Sequence, residues 1–230
     1  MNDRVLPKTE LFASCPYDGP ILEYYNGQFE SVFVILHPFL KPTSINKKRF
    51  YPETYPKKSE IISGCESVSW KQVIDLTNLT DISEVDIALR TGISGLKEEF
   101  ANESFAHEID MLDEKHDIVR PCEGDLPEII NNQVFEAIKN LAHNWLWVGD
   151  ELGTERKLYW IEDLLEDDLK KCHCNYFTHD HSLLVTTHWD SHFSFLCSSK
   201  EIITTILRNK EFEGFFCDAG TEVYWSLNKI

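Results

Sequence analysis

Positive charge is scarce in this sequence. Lysine and arginine number 22 against 39 aspartates and glutamates, a formal net charge of -17. Binding to nucleic acid rests on neutralising phosphates, so this balance excludes it as an expected partner. An anionic membrane surface is disfavoured for the same reason. A basic protein partner is compatible with the charge.

Long apolar runs are missing too. No window reaches the roughly 18 apolar residues of a membrane span. The opening MNDRVLPKTELFASC carries acids and no apolar stretch of signal-peptide length. The seven cysteines are odd in number and scattered. They read as reduced thiols in a cytosolic protein. The common catalytic signatures are absent as well. There is no Gly-x-Ser-x-Gly elbow, His-Glu-x-x-His, Cys-x-x-Cys, phosphate loop or dinucleotide fingerprint. Repeats and low-complexity segments are also lacking.

What is present is globular. The chain has 230 residues, 42% hydrophobic and 12% aromatic. That is enough to bury a core without a disulfide or a metal. After a turn-rich lead-in over residues 1–28, Ser31 to Leu36 reads as a buried strand closed by His37-Pro38. A proline-punctuated loop then holds Lys47, Lys48, Arg49, Lys57 and Lys58, expected to be solvated rather than paired with an acidic face.

Helical spacing dominates from about Ser59 to Asn144. Ser69 and Gln72 fit a capping box. Val85, Leu89, Ile93 and Leu96 mark one face of a helix starting near Ile82, with Gly92 and Gly95 as points of close packing. Phe105, Ile109 and Leu112 predict another helix. Asp125-Leu126-Pro127-Glu128 predicts a helix start with Asp125 as cap, followed by the stripe Ile130, Val134, Ile138 and Leu141.

Beyond Asn144 the pattern turns to strands: 145–148, 157–161, 174–177, 183–188, 193–197, 213–217 and 223–225. Helices are expected at Glu162 to Lys170 and Ser199 to Arg208. The class predicted is α+β, with a helix-rich N-terminal half packed on a mainly antiparallel sheet formed largely by the C-terminal half. One domain over 1–230 is expected, with a subdivision near 124 as the alternative.

One stretch concentrates chemistry. "HDHSLLVTTHWDSH" holds four of the nine histidines. His179, His181, His188, Asp190 and His192 are the candidate metal ligands, for zinc or another divalent ion. In an extended segment His179 and His181 would point to one side, roughly 7 Å apart at Cβ. His188 and His192 would face each other across a three-residue loop or on a helix. A two- or four-residue loop would part them. Without a metal the same residues read as a polar hairpin or an acid/base site. Cys172-His173-Cys174 upstream adds thiolates but no second knuckle. The charged loop after 145–148 offers Glu151 and Glu155 as acid/base candidates and Arg156 as an anion clamp. Its bland alternative is an internal pair of Arg156 with Glu151 or Glu155. Cys197 or Cys217 with one of the histidines would make a nucleophile pair. Glu162, Asp163, Glu166, Asp167 and Asp168 form an acidic face, suited to a basic partner or simply solvated.

Three runs, "WLWVGDELGTERKLYWIEDL", "HDHSLLVTTHWDSHFSFLCSS" and "EGFFCDAGTEVYW", with "VSWKQV" and "VDIALRTGISGLKEE" before them, carry a resemblance. The chain resembles, from about Val32 onward, a domain-of-unknown-function group of bacterial cytosolic proteins found mainly in bacilli, the YwbB-like proteins. The resemblance implies a single-domain bacterial protein and carries over no catalytic role. The function expected from the residues is a non-enzymatic, acidic protein-binding factor in the cytoplasm, of a toxin-neutralising or stress-related kind. The alternative is a metal-dependent hydrolase using the His179–His192 cluster, with Glu151 or Glu155 as base.

Overall fold

The computed structural model describes residues 10–168, 173–210 and 212–229. The helices are α1 (Ile21–Tyr24), α2 (Lys58–Gly64), α3 (Trp70–Leu76), α4 (Ile82–Gly92), α5 (Glu103–His116), α6 (Glu128–Asn140), α7 (Ile161–Glu166) and α8 (Lys200–Asn209). The strands are β1 (Ser31–Leu36), β2 (Phe39–Pro42), β3 (Cys65–Val68), β4 (Trp145–Asp150), β5 (Arg156–Trp160), β6 (Cys174–Thr178), β7 (Leu184–Thr187), β8 (Phe193–Ser198) and β9 (Gly214–Phe216). Seven of these strands form one antiparallel sheet in the order β5-β4-β6-β7-β8-β1-β9. β2 and β3 form a separate ribbon. The α+β class and its division between the halves are as the sequence predicts.

Both faces of the main sheet are covered. Alternation along β1 shows how: Val32, Val34 and Leu36 join one core, whereas Phe33 and Ile35 join the other. The first core takes Trp70, Val85, Leu89, Ile109 and Leu112 from α3, α4 and α5. The second takes Ile130, Val134, Ile138, Leu164 and Ile203 from α6, α7 and α8. A strand sandwiched in this way needs apolar residues at every position, which is why 31–36 reads as a continuous run.

Local chemistry sets the helix ends. Ser69 and Gln72 cap α3 reciprocally, and Asp81 caps α4 through the Ser83 and Glu84 amides. The α4 stripe overruns its helix: Gly92 is the last residue, Ile93 is the C-cap, and Leu96 lies outside. Gly92 faces the Arg120 side chain. Pro127, rather than Asp125, precedes the first turn of α6. Asp125 instead accepts the His173 amide at 2.6 Å.

α7 is shorter than the stretch to Lys170; it ends at Glu166, and residues 169–172 lie outside the described residues. Lys58 Nζ donates to the Leu164 and Leu165 carbonyls at 2.7 and 3.2 Å, which satisfies the end of that helix. Lys47 pairs with Asp117 at 2.9 Å, and Arg49 forks onto Glu60. Lys47, Arg49 and Lys58 are therefore paired within the molecule, the first two at its surface, where a solvated loop was expected, whereas Lys48 and Lys57 are exposed.

Residues 223–225 do not add a strand. A single bridge joins Glu222 to Pro20, and the chain turns into a short 3-10 helix, Trp225–Lys229. The Val223 carbonyl accepts from Arg90, Ser226 Oγ donates to Asp86, and Trp225 packs on Phe215 and Phe193. These long-range contacts with α4 and the sheet override local strand propensity.

Candidate functional site

The histidine run brackets β7. His179-Asp180-His181 forms the turn from β6 to β7, and His188, Asp190 and His192 lie on the loop from β7 to β8. Four strand residues at about 3.4 Å each put the two groups at opposite ends of the sheet, more than about 10 Å apart. Among the described residues no three His, Cys, Asp or Glu side chains converge as metal ligands.

At the first turn, Asp180 accepts from the Ser182 amide and hydroxyl at 3.1 and 2.8 Å, and His181 sits at φ 60°. The two imidazoles go to different aromatic neighbours. His179 Nδ1 accepts from Trp147 Nε1 at 3.1 Å. The His181 ring stacks on Phe12 at 3.7 Å between centroids.

The second group depends on register. Thr187 lies opposite Ser194, which places His188 opposite Phe193 and leaves a four-residue loop. This is a spacing that does not set His188 against His192. Both are buried, as is His37 at the end of β1. His188 Nδ1 accepts the Asp190 amide at 3.2 Å, so Nε2 carries the proton and donates to the Tyr17 carbonyl at 3.1 Å. Burial, helped by the nearby Arg90, lowers its pKa from 6.5 to about 4. Burial and the charges of Arg90 and Arg120 lower that of His192 to about 3. Burial and the neighbouring His192 hold His37 well below the usual range. His37 Nε2 and Thr187 Oγ1 both meet Ser194 Oγ, at 2.7 and 2.6 Å. Burial thus favours the neutral form of all three imidazoles, and the Nδ1 atoms of His37 and His192 have no hydrogen-bond partner among the described residues.

Arg90 organises this end of the molecule, and sequence reasoning passed over it. It is fully buried, pairs with Asp86 at 3.0 Å, and donates to the Asp190 and Val223 carbonyls. Its guanidinium lies 4.5 Å from the Tyr224 ring centre and 5.3 Å from that of Phe193. The available signal was an Asp–Arg pair at i, i+4 inside an apolar stripe.

The β4–β5 turn comes to the same end. Glu151 lies 3.6 Å from His173 Nδ1 and shares an open cleft with Tyr17, Leu152, Thr187, His188 and Trp189. Thus Glu151 and His188 are brought together, and Glu155 and Arg156 are not. Glu155 contributes its backbone, with its amide on Asp150 and its carbonyl accepting from the Asp150 amide. Arg156 pairs with Glu10 at 2.7 Å, and neither Glu151 nor Glu155 is its partner. It also covers the Trp147 and Phe177 rings, at 5.6 and 6.0 Å.

Neither Cys197 nor Cys217 is an activated thiol. Burial raises Cys197 well above its ordinary value and pushes Cys217 up to about 12. A thiolate nucleophile needs the opposite shift. Cys172 lies outside the described residues.

A second surface lies at the other end of β4 and β5. β5 is an edge strand of the sheet. Trp145 is 47% exposed and meets Trp160 edge-on at 5.1 Å. Lys157, Leu158, Tyr159 and Trp160 continue a broad groove that runs to Asp163, Glu166 and Asp167 at α7. Glu162 is tied to Lys139 and Trp160, and Asp168 to Ser59. Asp163 and Glu166 are exposed and carry no such tie among the described residues.

The family model described as "Protein of unknown function (DUF2711)" matches residues 17–227. "Uncharacterized protein YwbB" of Bacillus subtilis (strain 168) is 24% identical over 229 residues, covering 90% of this chain and 95% of that one. No solved structure matches.

Proposed function

The chain belongs to the DUF2711 family, a group described without an activity, and from that premise we propose that it is a non-enzymatic binding protein. Its partner is a protein that presents a basic, extended segment to the groove between β5 and α7. The observation that carries this is the Trp145–Trp160 pair, with Trp160 on the edge strand β5 and Trp145 on its neighbour β4, beside Asp163 and Glu166, whose carboxylates have no partner among the described residues. An edge strand offers main-chain donors and acceptors to an added strand. The half-exposed Trp145 and the partly exposed Trp160 supply contact area at low entropic cost. The carboxylates favour lysine or arginine and speed encounter.

The net charge of -17 supports a basic partner, whether the factor neutralises a toxin or acts in stress. The family match runs through position 124 without a break, which supports one unit over the chain. Cys15, Cys65, Cys197 and Cys217 form no disulfide, which supports a reducing, cytosolic setting. Among the described residues no helix is long and apolar enough to cross a membrane.

The test is titration with short peptides alternating lysine with valine, beside glutamate-for-lysine counterparts, with the tryptophan indole signals followed by NMR. Lysine peptides should bind, and Trp145→Ala or the pair Asp163→Asn/Glu166→Gln should weaken binding about tenfold. Equal binding of the glutamate peptides, or none by either set, would overturn the proposal.

A further inference from the structure

The cleft at the opposite end of β4 and β5 has a composition of its own. Three of the nine large hydrophobic side chains exposed among the described residues stand around it: Tyr17 at 64%, Leu152 at 58% and Trp189 at 50%. Water-exposed aromatic and aliphatic groups gathered at one concavity mark a binding site more often than chance exposure does. The Tyr17 and Trp189 rings are 6.3 Å apart and nearly perpendicular, so they form two walls of a corner. Thr187 and the neutral His188 also line it, and Glu151 is the one charged lining residue among the described residues.

The positive charge nearby is turned away. Arg90 is directed to Asp86 and to the Asp190 and Val223 carbonyls. An anionic ligand would therefore meet a carboxylate and ring faces, with no Lys or Arg among the described residues that line the cleft. Ring faces carry negative electrostatic potential, and a carboxylate adds to it.

The rigidity of the site fits a preformed pocket. His188 is held at both ring nitrogens, one of them by the Tyr17 carbonyl, so the loop carrying Tyr17 is fixed against the loop carrying Trp189. Gly124 backs Trp189 at φ 68°, and a Cβ there would come within 2.8 Å of the Trp189 carbonyl. Preorganisation of this kind lowers the cost of binding.

We infer that this cleft binds an alkylated ammonium group, with Tyr17 and Trp189 as the aromatic walls and Glu151 as the counter-charge. The group is a quaternary ammonium on a small molecule or the trimethylated amine of a lysine side chain. It is a site separate from the β5–α7 groove and does not depend on the partner proposed there.

The experiment titrates the full chain with choline and with its uncharged isostere 3,3-dimethylbutan-1-ol. A trimethyllysine peptide and its unmethylated form make a second arm. It is run at about pH 8. Choline should bind about tenfold more tightly than the isostere. Trp189→Phe, which keeps a ring, should weaken choline less than Trp189→Ala, and Glu151→Gln should narrow the preference for choline over the isostere. Circular dichroism of each variant checks that the fold is kept. A gain with the trimethyllysine peptide over choline assigns a protein-borne group, and equal or weaker binding assigns a free small molecule. Equal affinity for choline and its isostere, or no binding by choline and by the trimethyllysine peptide, would overturn the inference. Neither outcome bears on the lysine-peptide titration.

Discussion

Among single residues, charge placement at Arg90 dominates. Its guanidinium and the Asp86 carboxylate are both fully buried, so the cost of taking each out of water is offset by the other and by the carbonyls and hydroxyl around them. Arg90→Met removes one partner and leaves a buried carboxylate uncompensated. It should lower stability by about 3–5 kcal/mol in urea unfolding. Adding Asp86→Leu should recover part of that loss. A single variant within experimental error of the parent would show that the pair contributes little. The neutral histidines make a different prediction. His188 and His192 have folded pKa values of about 4 and 3, below the ordinary 6.5. Their unfolded forms take protons first as pH falls. Stability should then be full above about pH 6.5 and drop by up to about 1.4 kcal/mol per pH unit per histidine below it. For His188 the loss should level off once pH passes about 4, where the folded state is protonated too. His188→Gln should flatten the denaturant midpoint against pH between those limits, and an unchanged slope would contradict the assignment.

The secondary-structure elements show where sequence and structure part. The α3 capping box, the apolar run of β1 and the stripe of α6 were legible because each depends on neighbours within a few residues. The loop after β7 was not. Its turn has no Asn-Gly or Asp-Gly to fix its length, and the placement of His188 rests on a carbonyl 171 residues away. The end of α7 rests on Lys58, which is 106 residues from Leu164. The strand expected at 223–225 gave way to contacts with Arg90 and Asp86. Of the candidate site residues, the sequence placed Glu151 and His188 in the same short list. It could not pair them with Tyr17, whose approach is a matter of tertiary packing. β9 offers a prediction at this scale. At Gly214 a Cβ would stand 1.8 Å from the Val34 carbonyl and 2.7 Å from the Phe33 ring. Gly214→Ala must push the edge strand off β1, and it should cost about 1–3 kcal/mol in thermal or urea unfolding. Exchange of the β1 and β9 amides should rise in the same variant. A neutral effect would show that β9 is not held in this register.

Over the whole molecule, the two ends of β4 and β5 have unlike surfaces. One end gathers Tyr17, Leu152 and Trp189 around Glu151, and the other sets Trp145 and Trp160 beside Asp163 and Glu166. Both lie on an excess of negative charge that raises the local concentration of cations. Binding of a lysine-rich segment at β5 should therefore weaken as salt rises, because both carboxylates are exposed to screening. The opposite edge, β9, is three residues long and carries no comparable acidic groove among the described residues. The most direct measurement is amide hydrogen exchange across the chain, with and without a saturating lysine–valine peptide. Strand addition at β5 predicts slowed exchange at the amides of Arg156 to Trp160, with the buried strands β7 and β8 unchanged. Exchange at β5 that does not slow when the peptide is bound, or protection that falls only at β9, would contradict it.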